Sequence, residues 1–155
     1  MSAGSADQHE GDVREPSVAS PMEIFTCKYN EGEGPSDLDA ATKKFNKWAD
    51  KNDINDYSAW TLVPFYASSE QDFDLMWMGG SENAKTLGRI QDTWLVSGSK
   101  ERAVFDKVIS CDSHSVYATL LIMEALERDN PSNIVASFSD CKMADGVTFD
   151  DLYIP

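Results

Sequence analysis

The sequence predicts an α+β fold, a four-stranded antiparallel sheet built in the order β-α-β-β-α-β with two helices on one face. Three observations carry this reading. Short runs rich in β-branched and aromatic residues alternate with two longer stretches whose apolar residues recur at spacings of three and four. The second and third runs are joined by a short polar link, the mark of a hairpin. Glycines punctuate the junctions, at Gly32 and Gly34, at Gly79-Gly80 and at Gly98.

Glu23 to Tyr29 (EIFTCKY) reads as the first strand, followed by turn chemistry in Asn30 to Pro35 (NEGEGP). Ser36 is the expected N-cap of the first helix, with Asp39 three residues later as an acidic capping-box partner. That helix puts Leu38, Ala41, Phe45, Trp48 and Ala49 on one stripe and ends near Lys51 and Asn52. Tyr57 to Ala67 is the second strand, SSEQD the link, and Phe73 to Met78 the third strand, which Gly79 and Gly80 are expected to break. Glu82 to Val96 carries Ala84, Leu87, Ile90, Trp94 and Leu95 on one side, a second helix with Gly98 just past its end. A helical turn around Glu101 to Val104 leads to a fourth strand near Lys107 to Asp112. This split βαβ order is ferredoxin-like.

The flanks are less regular. Met1 to Pro21 is rich in Ser, Ala, Gly and acids and cannot bury enough surface to offset its ordering entropy, so residues 1–21 are expected to be a flexible tail, with 22–114 as the domain. Ser115 to Met123 reads as a strand, with a helix reaching Arg128 as the alternative. Asp129 to Asn133 is a turn and Ile134 to Met143 another strand. Residues 115–155 are therefore expected to form a C-terminal β-hairpin extension.

An internal repeat is visible across these segments. Cys27-Lys28-x-x-Glu31-Gly32-x4-Asp37-Leu38 matches Cys141-Lys142-x-x-Asp145-Gly146-x4-Asp151-Leu152, with five identities at one offset and a sixth pair that keeps its acid. Both windows lie where a strand gives way to a glycine loop and a helix start. This strand-Cys-x4-Gly-x4-Asp-Leu-helix module, given twice, resembles uncharacterised bacterial proteins built from tandem ferredoxin-like units, within the broad dimeric α/β-barrel group. The resemblance covers the first unit in full and only the opening of the second, which is expected to be incomplete. It implies a fold rather than an activity: the wider group holds cofactor-free monooxygenases, haem enzymes, isomerases and ligand-binding regulators, and no member's catalytic motif maps onto residues here.

Composition sets the outer bounds. Apolar residues make up 41% and aromatics 10% of the 155 residues, enough for a hydrophobic core. Thirteen basic against 27 acidic residues give a net charge of −14, which opposes nucleic acid and anionic membrane as partners. The acids are scattered among basic residues, so they read as a solubilising surface rather than a nucleic-acid mimic. Cys27, Cys111 and Cys141 form no C-x-x-C pair, and only His9 and His114 accompany them, so no metal site is expected. Three free thiols in a reducing cytoplasm is the reading that follows, and the absence of a basic, apolar leader agrees with cytoplasmic localisation.

The strands themselves ask for a partner. In the second strand Ala59, Thr61, Val63 and Phe65 face one way and Trp60, Leu62, Pro64 and Tyr66 the other. In the third, Phe73, Leu75 and Trp77 oppose Asp74, Met76 and Met78. Both faces are largely apolar, whereas a lone sheet with one wet face should alternate. A homo-oligomer or a protein partner pairing through the sheet is expected, with Trp60, Val63, Phe65 and Tyr66 in the contact.

Catalytic residues are harder to find. Asp74, an acid between Phe73 and Leu75, and His114 are the weak candidates for a general base. Cys111, Asp112, Ser113 and His114 are sequence neighbours that point in different directions, so they form no nucleophile–base pair. Gly79-Gly80 lacks a phosphate-binding context, and Glu82 would repel an anion. Trp60 and Trp77 on neighbouring strands, with Tyr66, are the candidate walls of a pocket for a small apolar ligand; no cofactor is expected. The leading reading is a non-enzymatic binding or assembly module that pairs through its β-sheet, with room for such a ligand. The alternative is a small cofactor-free α/β-barrel enzyme, monooxygenase- or isomerase-like, with Asp74 or His114 as base.

Overall fold

The computed structural model describes residues 19–66, 71–121, 135–148 and 151. Seven elements follow in order: β1 (Ser20–Tyr29), α1 (Pro35–Lys51), β2 (Ser58–Leu62), β3 (Leu75–Gly80), α2 (Ala84–Ser97), α3 (Ser99–Val108) and β4 (Ile109–Thr119). The strands form one antiparallel sheet in the order β2-β3-β1-β4. With β1 and β3 central and helices packed on one face, this is the ferredoxin-like α+β arrangement.

Side-chain alternation divides the sheet cleanly. Glu23, Phe25 and Cys27 of β1 lie opposite Gly79, Trp77 and Leu75 of β3, and this face receives the helices. One core cluster joins Cys27 and Leu75 to Leu38 of α1 and to Val108 and Ile109 at the α3–β4 junction. A second joins Trp48 and Ala49 of α1 to Ile54 and to Ile90 of α2, with Phe45, Tyr57 and Trp94 packed against it. Its rings meet edge to face, Trp48–Trp94 at 4.9 Å and Phe45–Trp94 at 5.5 Å between centroids. Trp48 and Trp94 are thus core residues, as their helix stripes predict.

The element boundaries shift for local reasons. Gly34, not Ser36, caps α1: the Asp37 carboxylate accepts the Gly34 N–H at 3.0 Å, and Pro35 stands at the first helical position. Asp39 instead pairs with Lys43 one turn on. Gly79 and Gly80 do not break β3 but complete it. The Tyr57 ring lies across Gly79, and a Cβ there would land on the tyrosine hydroxyl. β2 is shorter than expected because Pro64 cannot continue a ladder. The helical turn expected at 101–104 is a ten-residue helix, α3, with Val108 buried, so the sheet carries three helices rather than two.

The C-terminal expectation needs a larger correction. β4 runs without interruption to Thr119, paired with β1 from Tyr29↔Ile109 to Ser20↔Thr119, with a bulge between Thr26 and Cys27. Residues 115–119 therefore complete the first sheet instead of opening a hairpin, and the domain limits of 22 and 114 both widen, since Ser20 and Pro21 belong to β1. Residues 135–143 carry no strand, and Val135, Phe138 and Cys141 are exposed. The physical reason is occupancy: β3 and β4 already flank β1, so the sheet has no central place for another strand. The turn expected at 129–133, the tail up to residue 18 and residues 68–70 of the link expected at 68–72 lie outside the described residues.

The reading of three free thiols is also corrected. Cys27 and Cys111 are directly opposite in the β1–β4 register, with Cα atoms 4.0 Å apart, and are joined by a disulfide; Cys141 is free. Their separation of 84 residues hid a contact that only strand register creates.

Candidate functional site

The centre of the helix-facing side of the sheet holds a polar chain within an otherwise apolar core. Glu23, on β1, is only 6% exposed. Burying a carboxylate costs several kcal/mol unless donors replace its water. Three donors do so here. The Tyr57 hydroxyl donates to Oε1 at 2.8 Å, and the Gln91 amide of α2 donates to Oε2 at 3.1 Å. His114 Nε2 of β4 lies 3.0 Å from the same Oε2.

Each donor is held in turn. The Trp77 indole N–H donates to the Tyr57 oxygen at 3.0 Å, leaving the tyrosine proton for Glu23. The close approach of Tyr57 over the sheet requires the missing side chain of Gly79. Burial first, and then the Glu23 charge, push the Tyr57 pKa far above its ordinary value, so the phenol stays protonated. The His114 ring stacks on Phe25 with centroids 4.0 Å apart and planes 6° from parallel, and its side chain is 44% exposed. The chain thus runs from solvent at His114 through Glu23 and Tyr57 to Trp77.

At the Tyr57 and Trp77 end lies a cavity of about 170 Å³ between α1 and the sheet. Phe45, Tyr57 and Trp77 form its aromatic wall, while Thr42, Asn46 and Thr61 bring polar atoms; Trp60, whose side chain β2 turns to the opposite face of the sheet, only borders it. Of the three candidate ligand residues, Trp77 lines this cavity. Tyr66 does not; it is 92% exposed.

The two candidate bases are not brought together. Asp74 is exposed just before β3, where its carboxylate accepts the Tyr29 N–H at 2.9 Å and its own N–H donates to the Cys27 carbonyl. It extends the β1–β3 ladder and is not among the residues that line the cavity. His114 stands within strand β4 rather than in the turn expected for it, and it too is absent from the cavity lining. Among the described residues no cluster of three or more His, Cys, Asp or Glu could hold a metal ion.

The residues that the sequence reading missed are Glu23, Tyr57 and Gln91. A signal for the first existed. Glu23 shares its strand face with Phe25 and Cys27, the same anomaly that singled out Asp74. Nothing in the sequence paired it with Tyr57, 34 residues away.

The opposite face of the sheet is open. Trp60 and Leu62 of β2, Met76 and Met78 of β3, Met22 and Ile24 of β1 and Tyr117 of β4 share it by register. Trp60 remains 42% and Tyr117 53% exposed; Val63 and Phe65, past the end of β2, are exposed as well.

The class these features define is an α+β ferredoxin-like domain with a buried glutamate at its centre. No protein-family model matches the chain, and no curated protein matches it. Among solved structures it is similar to the solution structure of a hypothetical protein from Arabidopsis thaliana. The identity is 10% and the TM-score 0.48, over 72% of this chain and 96% of that one. It is also similar to a crystal structure provisionally assigned as a chlorite dismutase, at 13% identity and a TM-score of 0.39, over 64% of this chain and 43% of that one. Likenesses this distant assign no activity. No helix among the described residues is long and apolar enough to cross a membrane.

Proposed function

We propose that this chain is a non-enzymatic binding and assembly module that pairs through the open face of its sheet with a second copy of itself. The observation that carries the reading is that face: Trp60 and Tyr117 are about half exposed and share it with the partly buried Met22, Ile24, Leu62 and Met76, while Met78 at its centre is buried. Exposed apolar patches of several hundred Å² are uncommon on monomers and mark interaction sites. A flat sheet face is best covered by another sheet face, and a second copy supplies one of matching shape across a two-fold axis. The cavity beside Trp60 and Trp77 is the proposed ligand site. Its size suits a single small ring, since a cavity of roughly 150 Å³ accommodates benzene.

Sedimentation of the Met76→Lys variant tests the pairing, because a charge at this position would be desolvated in the pair and harmless in a free subunit. A loss of association with unchanged circular dichroism supports the reading; unchanged association refutes it. Titration with indole, followed by the NMR signals of the Trp60 and Trp77 side chains, tests the cavity. The enzyme reading retains one favouring observation, the buried Glu23 reached from solvent through His114, but Asp74 has no part in it.

A further inference from the structure

The connection between β1 and α1 and the segment near residue 146 have the same hydrogen-bond pattern. The Glu33 N–H donates to the Asn30 carbonyl at 3.0 Å, and the Val147 N–H donates to the Ala144 carbonyl at 3.1 Å. Gly32 and Gly146, each inside its turn, have φ of +80° and +82°. Such a conformation is strained for any residue with a Cβ. The Asp37 N–H donates to the Gly34 carbonyl, and the Asp151 N–H to the Thr148 carbonyl. The Asp37 carboxylate accepts the Gly34 N–H at 3.0 Å, and the Asp151 carboxylate accepts the Thr148 N–H at 2.7 Å. All four correspondences fall at the single offset that relates Cys27 to Cys141. In the first window this pattern is the turn and cap that start α1.

Side-chain order agrees only in part, since Ser137 and Ser139 stand where Glu23 and Phe25 do. At the same offset Phe138 takes the place of Ile24, Ala136 that of Met22 and Cys141 that of Cys27. Yet β1 is a central strand, satisfied by β3 and β4 on its two sides, whereas 135–143 has no ladder and leaves Val135 and Phe138 exposed. These turn and capping bonds, beside a strand sequence with no ladder among the described residues, match the opening of a folding unit.

We infer that residues 135–151 are the opening strand, turn and helix cap of a second unit of the fold that residues 20–119 build. The first unit specifies the remainder that completes such a unit: a helix entering from Asp151 and two strands that flank 135–143 as β3 and β4 flank β1. The pairing of open sheet faces is a separate matter, and neither proposal depends on the other.

A chain extended after Asp151 by a second copy of its own residues 38–121 supplies that remainder directly. The expected result is a near doubling of helical ellipticity per molecule and protection of Cys141 from iodoacetamide in the native state. A control carries residues 20–37 in place of 134–151 before the same extension. If the control folds its second unit and the native segment does not, the inference is overturned. The reciprocal exchange keeps the test decisive if neither extension folds: Cys27–Asp37 are replaced by Cys141–Asp151 within the first unit. Retained cooperative unfolding with a disulfide to Cys111 supports equivalence; loss of the fold overturns it.

Discussion

Replacing Gly79 by alanine should unsettle the polar centre without touching any charged residue. A Cβ at this position would land on the Tyr57 hydroxyl and lie 2.5 Å from Cζ and 2.9 Å from Cε2, so the ring must leave. Its departure breaks the bond to Glu23 Oε1 and strands the Trp77 N–H. Losing a hydrogen bond to a charged group costs about 1.5–3 kcal/mol, and an unsatisfied buried donor about 1–3 more, so a loss of roughly 3–5 kcal/mol is expected. In a domain of this size each kcal/mol moves the midpoint by about 4–8 °C, so Tm should fall by at least ~12 °C. The assay is thermal and urea unfolding of Gly79→Ala in the native and Tyr57→Ala backgrounds. With the ring already gone, the added methyl should cost less than about 1 kcal/mol, giving a large coupling energy. Equal costs in the two backgrounds would refute the contact as the cause.

Other outcomes follow from the same geometry. Glu23→Gln keeps the shape but turns an amide NH₂ toward groups that need an acceptor, and should cost about 1–3 kcal/mol by urea unfolding. The Tyr57 phenol titrates far above the ordinary 10.0 in the folded chain, so its contribution is complete below pH ~10 and declines as rising pH ionises the unfolded state. Its share of the slope reaches about 1.4 kcal/mol per pH unit. Tyr57→Phe should remove that share from the pH 10–12 stability profile while leaving the profile near pH 7–9 parallel. Reducing the Cys27–Cys111 bond, which closes a separation of 84 residues, should lower stability by roughly 2–4 kcal/mol in paired melts with and without dithiothreitol.

The sequence is informative where a residue's role depends on near neighbours, and uninformative where it depends on register. The stripe Leu38, Ala41, Phe45, Trp48 and Ala49 is set by the helical period; four of the five are buried and Phe45 is partly buried against them. Four strands with their antiparallel pairing follow from short β-rich runs and from the polar link before β3. The ten pairings of β1 with β4 were beyond reach, because they join segments some 90 residues apart. The disulfide, the stacking of His114 on Phe25 and the placement of Glu23 all depend on that register. Gly79 reads as a strand breaker until Tyr57 is seen to occupy its missing side chain. Of the candidate residues, Trp60 and Trp77 do lie on neighbouring strands, but their register turns them to opposite faces of the sheet, which the sequence alone does not reveal. Tyr66 was misplaced because Pro64 ends β2 before that residue could share its alternation.

Light scattering from the native chain at micromolar concentration bears most directly on the proposal that the open face is a pairing surface. The result expected is a particle of twice the 17.2 kDa of one chain, reverting to a single chain when Met76 is replaced by lysine. A monodisperse 17.2 kDa particle at every concentration, with the Trp60 indole emitting as a water-exposed fluorophore, would contradict it.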